Sequence, residues 1–388
     1  MKKQSLNKIK KLTDKGVICC NPNSVEIGDN VDVGKISGKG VVIHSGCKIF
    51  GSSTLILQNT TLGYEAPVTV DDCQIGPGVE LKGGFFSKSV FLKDAGVGSG
   101  AHVREGTILE EKSRIAHTVG LKQTILFPYV TLGSLINFCD CLMSGGTSDK
   151  NHSEVGSSYI HFNYTPNQDK ATPSLLGDVP NGVMLNQHPI FLGGQGGLVG
   201  PSRLAFGTVI AAGSIYRKDE LRQKRLLIES GGKSGSIPFP SFRYQNRQRI
   251  ITNNIIYIGN LFALKQWYTH VRPMFISYDF PESLLNGLTD KICLAIDERI
   301  KRLKEVCLKI FDSTQNNEWP KLETPLMENQ NYQGDTYLRD VFLEKIHLAF
   351  KKKDNDYLSV IKGLKPKDSA TGTRWLTGII DNLCKNIL

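Results

Sequence analysis

No stretch of the 388-residue sequence approaches the ~18 uninterrupted apolar residues that a membrane-spanning helix requires. The first twenty residues carry lysines but no continuous apolar segment of the kind that directs secretion. A cytoplasmic protein, neither secreted nor membrane-spanning, is therefore expected. Regular cysteine spacing is also missing. The nine cysteines are odd in number, and neither Cys19-Cys20 nor Cys139-Asp140-Cys141 is a Cys-x-x-Cys knuckle. A disulfide-stapled miniprotein is excluded, and reduced thiols are expected. Wholesale disorder is excluded too, because 40% hydrophobic and 22% charged residues are ordinary globular usage.

Glycine and positive charge are in excess. The 39 glycines are roughly a tenth of the chain, against a usual ~7%, and they crowd into the first 235 residues. The net charge is +10, with basic residues at Lys2, Lys3, Lys8, Lys10, Lys11 and Lys15 and again from Arg217 to Arg249. An anionic small molecule, such as a phosphorylated metabolite or coenzyme A, suits that field as well as nucleic acid does. Nucleic acid is the weaker reading, since most such runs are solvated surface.

Aliphatic residues return at every sixth position: Val97, Val103, Leu109, Ile115 and Leu121 form an unbroken series. Glycine often follows the aliphatic residue, as in Ile27-Gly28, Leu132-Gly133 and Leu192-Gly193. Six is neither a helical period nor the period of two that a sandwich would show. It is the repeat of a parallel β-helix, in which one aliphatic side chain per hexapeptide fills a triangular prism and small residues turn the corners. The fold class expected is mainly β: a parallel β-helix followed by an all-α C-terminal domain. Residues 1–24 read as a basic N-terminal segment and 25–220 as the β-helix. Long inserted loops are expected across 145–189, where the period breaks and Ser, Asn, Asp and Pro abound. Residues 221–242 read as a linker and 243–388 as helical, with apolar faces at Ile255–Lys265, Leu285–Ile310, Tyr337–Lys351 and Trp375–Leu388.

Four blocks carry a resemblance. They are Ser113-Arg114-Ile115-Ala116-His117 followed by Gly120; Leu132-Gly133 with Asn137; Ile160-His161-Phe162-Asn163-Tyr164; and Leu176-Gly177-Asp178. In order and residue type, over about a hundred residues, they resemble the acetyltransferase half of bacterial bifunctional UDP-N-acetylglucosamine pyrophosphorylase/glucosamine-1-phosphate acetyltransferases. These are hexapeptide-repeat acyltransferases. The resemblance implies a left-handed coil, acetyl-CoA as co-substrate and no metal. It also implies a homotrimer with sites between neighbouring prisms, and an acceptor that is an amino sugar phosphate or nucleotide sugar.

The same resemblance assigns roles to residues. His117 corresponds to the general base that takes a proton from the acceptor amine as it attacks the thioester; an ammonium group is not nucleophilic, and imidazole titrates near neutrality. Asn163 and Tyr164 correspond to groups that contact the sugar and orient the base, and Asn137 to an acceptor contact. The backbone N–H of Asp140 falls where the family places its oxyanion donor, although the family has a small residue there. Arg104, in Val103-Arg104-Glu105-Gly106, and Lys170 correspond to phosphate-binding cations. Ala211, Ala212 and Gly213 resemble the coil that lines the coenzyme A groove.

Other expectations mark the limits of the match. No Gly-rich nucleotide-binding segment precedes the coils near Val25, so nucleotidyl transfer is not expected of this polypeptide. The run Gly193–Gly200 lacks the Gly-Lys-Ser/Thr ending of a phosphate loop and reads as coil packing or room for a pantetheine arm. Some β-helices hold zinc between three histidines, but the pair five residues apart is missing around His117, His152 and His161. The competing reading is a non-catalytic scaffold or sugar-nucleotide-sensing module whose basic helical tail binds partners.

Overall fold

The structure is a computed structural model that describes residues 2–229, 236, 244, 246–312, 319–350 and 356–388. Most of the expected linker, 221–242, lies outside the described residues.

The six-residue series points inward as its period demands: Val97, Val103, Leu109, Ile115 and Leu121 are each at most 4% exposed. They fill a parallel β-helix with three faces. Face 1 is an eleven-stranded parallel sheet running from Ile18–Cys19 to Leu226–Leu227. Face 2 includes Ala101–Val103 and Ile160–Phe162, and face 3 includes Thr107–Leu109 and Ser174–Leu176. Two strands, Gly120–Leu126 and Asn137–Met143, run across both of these faces and join them into one sixteen-stranded sheet. Gly96 pairs with Arg114 and Arg114 with Thr131, so successive turns there take eighteen and then seventeen residues.

Residues 145–189 correct the expectation of loops thrown clear of the coils. Glu154–Val155, Ile160–Phe162 and Ser174–Leu176 supply one strand to each face. Glu154 pairs with Phe191, thirty-seven residues on. A parallel ladder needs only two or three residues per face, so insertions at the corners hide the period without interrupting the coil. Glycine is likewise less obligatory at corners than its abundance suggests. At the corner between faces 2 and 3 the left-handed positions are Lys88, Gly106, Gln123 and Asp140, with φ of 47°, 73°, 51° and 62°.

The basic N-terminal segment caps the solenoid. Helix α1 (Lys2–Asp14) buries Ile9 and Leu12 against the first coil. Lys8 Nζ donates to the carbonyls of Gly28, Asp29 and Val31 at 2.9, 2.7 and 2.7 Å. Lys15 Nζ donates to those of Val33, Gly34 and Ile36. These two lysines satisfy carbonyls of the terminal coil, which a solenoid end otherwise leaves open.

The remaining α-helices among the described residues are α2 (Val179–Gly182), α3 (Arg247–His270), α4 (Glu282–Asp312), α5 (Trp319–Asn329), α6 (Thr336–Phe350), α7 (Tyr357–Lys362) and α8 (Pro366–Ile387). They are not a separate appendage. On face 3 the strands carry adjacent apolar pairs, Val90-Phe91, Ile108-Leu109, Ile125-Leu126 and Leu142-Met143. The second of each pair fills the prism. The first faces outward, into a core shared with Ile258, Leu261, Leu288 and Ile292 of α3 and α4. A strand buried on both sides reads as a continuous apolar run. The helical domain is thus the cover of face 3.

That seam encloses charge. Glu110 and Glu111 are buried at the corner between faces 3 and 1. Tyr268 Oη donates to Glu110 Oε1 at 2.5 Å, and Arg272 Nη2 lies 2.5 Å from Glu111 Oε1. Burial, reinforced by the charge of Glu111, pushes the Glu110 carboxyl up to about 7. A folded-state value above the unfolded one means that the stability tied to protonated Glu110 is present at acid pH and lost as pH rises through about 7. Glu110→Gln keeps an acceptor for Tyr268 and removes the charge. It is expected to raise the melting temperature at pH 8, by up to ~3 kcal/mol of stability, and to change little at pH 5. Equal shifts at the two pH values in a thermal scan would contradict this.

Candidate functional site

His117 stands exposed at the corner between faces 1 and 2, where the chain turns out of Arg114–Ile115 and into Gly120–Leu126. Its Nδ1 lies 2.9 Å from Ser134 Oγ, one coil on. The same corner continues through Ser157, whose Oγ accepts from Ser134 N at 3.1 Å, then Gly194, then Ala212. The column from His117 to Ala212 spans four inter-coil steps, about 19 Å at ordinary strand spacing. Small residues are required there for packing: a Cβ on Gly156 would overlap the Gly194 backbone, and one on Gly193 the Ala212 backbone. Gly213 closes the column with open space where its Cβ would be. His117 and the Ala211-Ala212-Gly213 coil therefore share one edge of the prism.

Face 2 presents Asn137 to solvent, in register with Gly120 below it and Ile160 above. Arg104 is half-buried on the same face, its Nη2 3.9 Å from Cys139 Sγ and its Nε, among the described residues, without an acceptor. Beside it, Lys122 Nζ and Glu105 Oε1 pair at 2.7 Å.

Asn163, Tyr164 and Lys170 lie on the other edge of face 2. Asn163 follows Ile160 by three residues, whereas His117 precedes Gly120 by three, and Ile160 and Gly120 share one register column. Within one chain His117 and Asn163 are consequently on the order of 20 Å apart along the strand direction. The structure does not bring them together in a single prism.

The loop after Asn163 is held by helix α4. Arg299 Nη2 pairs with Asp140 Oδ1 at 2.6 Å, and Arg299 Nη1 donates to the Lys170 carbonyl at 3.3 Å. Asn163 Nδ2 donates to Asp140 Oδ2 at 2.9 Å, and Lys309 Nζ donates to the carbonyls of Asn167 and Gln168. Lys170 Nζ sits 5.9 Å from the centroid of the exposed Tyr164 ring. Asp140 is 4% exposed and Arg299 2%, so the Asp140 side chain is committed to a buried ion pair. Arg299 and Lys309 lie more than a hundred residues from their partners, and no local pattern announces them.

His161 and His152, the other two histidines grouped with His117 in the sequence, are occupied elsewhere. His161 takes an inward position of the repeat, with Nδ1 2.6 Å from the Cys139 carbonyl and Nε2 2.7 Å from Ser174 Oγ. Burial lowers its pKa to about 4, so the ring is neutral at physiological pH. His152 Nε2 is 3.4 Å from Glu154 and its Nδ1 2.8 Å from the Asp149 carbonyl. Among the described residues no three His, Cys, Asp or Glu side chains converge on a metal-sized site, and all nine cysteines are free thiols. No helix among them is long and apolar enough to cross a membrane.

Comparison with curated proteins finds similarity to bifunctional GlmU proteins. The chain is 29% identical over 215 residues to those of Thermotoga sp. (strain RQ2) and Thermotoga maritima, covering 55% of this chain and 42% of each relative. It is 27% identical over 190 residues to that of Pelobacter propionicus, covering 49% and 37%. The chain thus spans about two fifths of the length of these relatives. No protein-family model matches it.

Proposed function

We propose that this chain is a hexapeptide-repeat acyltransferase that moves the acetyl group of acetyl-CoA to the amine of an amino sugar phosphate or nucleotide sugar. The observation that carries this reading is the placement of an exposed imidazole at the foot of a narrow column of small residues, in a β-helix similar to the bifunctional GlmU proteins. His117 takes the proton from the acceptor amine as the amine nitrogen bonds to the thioester carbonyl carbon. The carbon–sulfur bond then breaks, and coenzyme A leaves as the thiol with that proton. The extended arm of coenzyme A lies along the corner from Ser134 towards Ala211, Ala212 and Gly213. Arg104 and Asn137 hold the anionic and hydroxyl groups of the acceptor.

Asn163, Tyr164 and Lys170 reach such a site only from a neighbouring prism, because their own edge is remote from their own His117. Since the helical domain covers face 3, a homotrimer has faces 1 and 2 and the edge between them with which to close. The Asp140 carboxylate, already paired with Arg299, is not assigned to the acceptor. The reading includes a cytoplasmic location and no metal.

Thiol release from acetyl-CoA, followed across a panel of amino sugars and their phosphates, tests the proposal. Release is expected with a phosphorylated or nucleotide-linked amino sugar and not with its N-acetylated form. No release from any acceptor, together with no calorimetric binding of acetyl-CoA at millimolar concentration, would overturn it.

A further inference from the structure

Asp140 takes a left-handed corner position between faces 2 and 3, and its two carboxylate oxygens are divided between the solenoid and the helical domain. Oδ1 pairs with Arg299 Nη2 of α4 at 2.6 Å, and Oδ2 accepts from Asn163 Nδ2 at 2.9 Å. Both members of the ion pair are buried. An ionised carboxylate accepts hydrogen bonds and has none to donate. The Asn163 amide is therefore left with one orientation: its NH2 end turns inward to Asp140, and its carbonyl end faces away.

Asn163 is half-buried, and its Oδ1 accepts no hydrogen bond among the described residues. It is not one of their enclosed polar atoms, so a ligand can reach it. The chain on either side cannot carry it away. Ile160–Phe162, just before it, is a strand of face 2. After it, Arg299 Nη1 donates to the Lys170 carbonyl at 3.3 Å, and Lys309 Nζ to the carbonyls of Asn167 and Gln168 at 2.9 and 3.1 Å. Tyr244 Oη donates to Asp169 Oδ2 at 3.3 Å. A backbone held on both sides and an amide turned by one fixed charge aim a single hydrogen-bond acceptor outward.

We propose that Arg299 is a positioning residue for the acyl acceptor: through Asp140 it fixes Asn163 with Oδ1 outward, where the acceptor is read by a hydroxyl that donates to it. This rests on the acyl-transfer reading, with Asn163 entering the site from a neighbouring prism. It gives the helical domain a part in substrate choice although Arg299 never touches the substrate. The test compares the full wild-type chain with Arg299→Met/Asp140→Asn, which removes both charges together. One readout needs no turnover: in heteronuclear NMR, with the Asn163 side-chain signal identified by its absence in Asn163→Ala, the proton given to a carboxylate is expected downfield of ordinary side-chain amides. That shift is expected to be lost in the double variant. The other readout is thiol release with glucosamine-1-phosphate, UDP-glucosamine and their monodeoxy analogues. In the wild type, loss of the hydroxyl that Asn163 reads is expected to raise KM about threefold or more, the contribution of one neutral hydrogen bond. In the double variant the parent acceptor is expected to show that same rise, its deoxy analogue no further one, and acetyl-CoA an unchanged KM. An ordinary Asn163 signal in the wild type, or a downfield one kept in the double variant, would overturn the orientation. An undiminished preference for the hydroxyl in the double variant would overturn the role in substrate choice. Absence of thiol release from every acceptor would overturn the acyl-transfer reading and that role with it, while the NMR signals would still show whether Arg299 sets the amide.

Discussion

Acetyl transfer is expected to fall by about 10²–10⁴ in kcat when His117 is replaced by alanine, the range that a positioned general base supplies. The KM for acetyl-CoA should change little, because in the proposed mechanism the imidazole meets the acceptor amine rather than the coenzyme. His117 is exposed and makes one side-chain hydrogen bond, to Ser134 Oγ, so the thermal midpoint should hardly move. That separates a chemical role from a structural one. Base function requires the tautomer whose Nδ1–H donates to Ser134, leaving Nε2 bare for the amine. Ser134→Ala, which removes this orientation, is accordingly expected to give a smaller loss in kcat. Steady-state thiol release measured on both variants checks the pair. A wild-type rate in His117→Ala would assign the proton transfer to another group and remove the central element of the proposed mechanism.

Arg299→Ala is expected to destabilise the protein by ~3–5 kcal/mol, the usual cost of leaving one member of a buried ion pair uncompensated. Asp140 would lose its 2.6 Å partner while remaining enclosed between the coil and α4. The Lys170 carbonyl would lose a donor at the same time. Asp140→Asn in the Arg299→Met background removes both charges and should recover much of the loss, because the desolvation penalty disappears along with the attraction. Urea unfolding with an unchanged m-value, for the single and double variants, measures both effects. A loss below about 1 kcal/mol in Arg299→Ala, as for a surface pair, would show that water reaches the cluster.

The series from Val97 to Leu121 was legible because a narrow prism accepts one aliphatic side chain per hexapeptide and repeats that demand at every turn. Helix α4 was legible for a similar reason: its apolar stripe recurs at the helical period from Leu285 to Ile310. By contrast, α5 contains Pro325 and α7 has only six residues, so neither offers a long enough pattern. In α1 the apolar residues at Leu6, Ile9 and Leu12 are outnumbered by lysines. Charge dominated that reading, yet Lys8, and Lys15 just beyond the helix, serve as donors to the first coil. The strands inside 145–189 were hidden by insertions at the corners. Around His117 the sequence supplied residue types and their order, but not that Asn163 sits on the opposite edge, because corner insertions change how far each face advances.

The coil, its inward residues and the helical character of the second half follow from local patterns along the chain, since each depends on neighbours a few residues or one turn away. Which face the helices cover, and where Asp140, Glu111 and Asn163 find their partners, is set by packing in three dimensions. Those choices join residues from 23 to 161 positions apart. They rest on complementary shape and the enclosure of charge between two domains, for which no period along the chain exists.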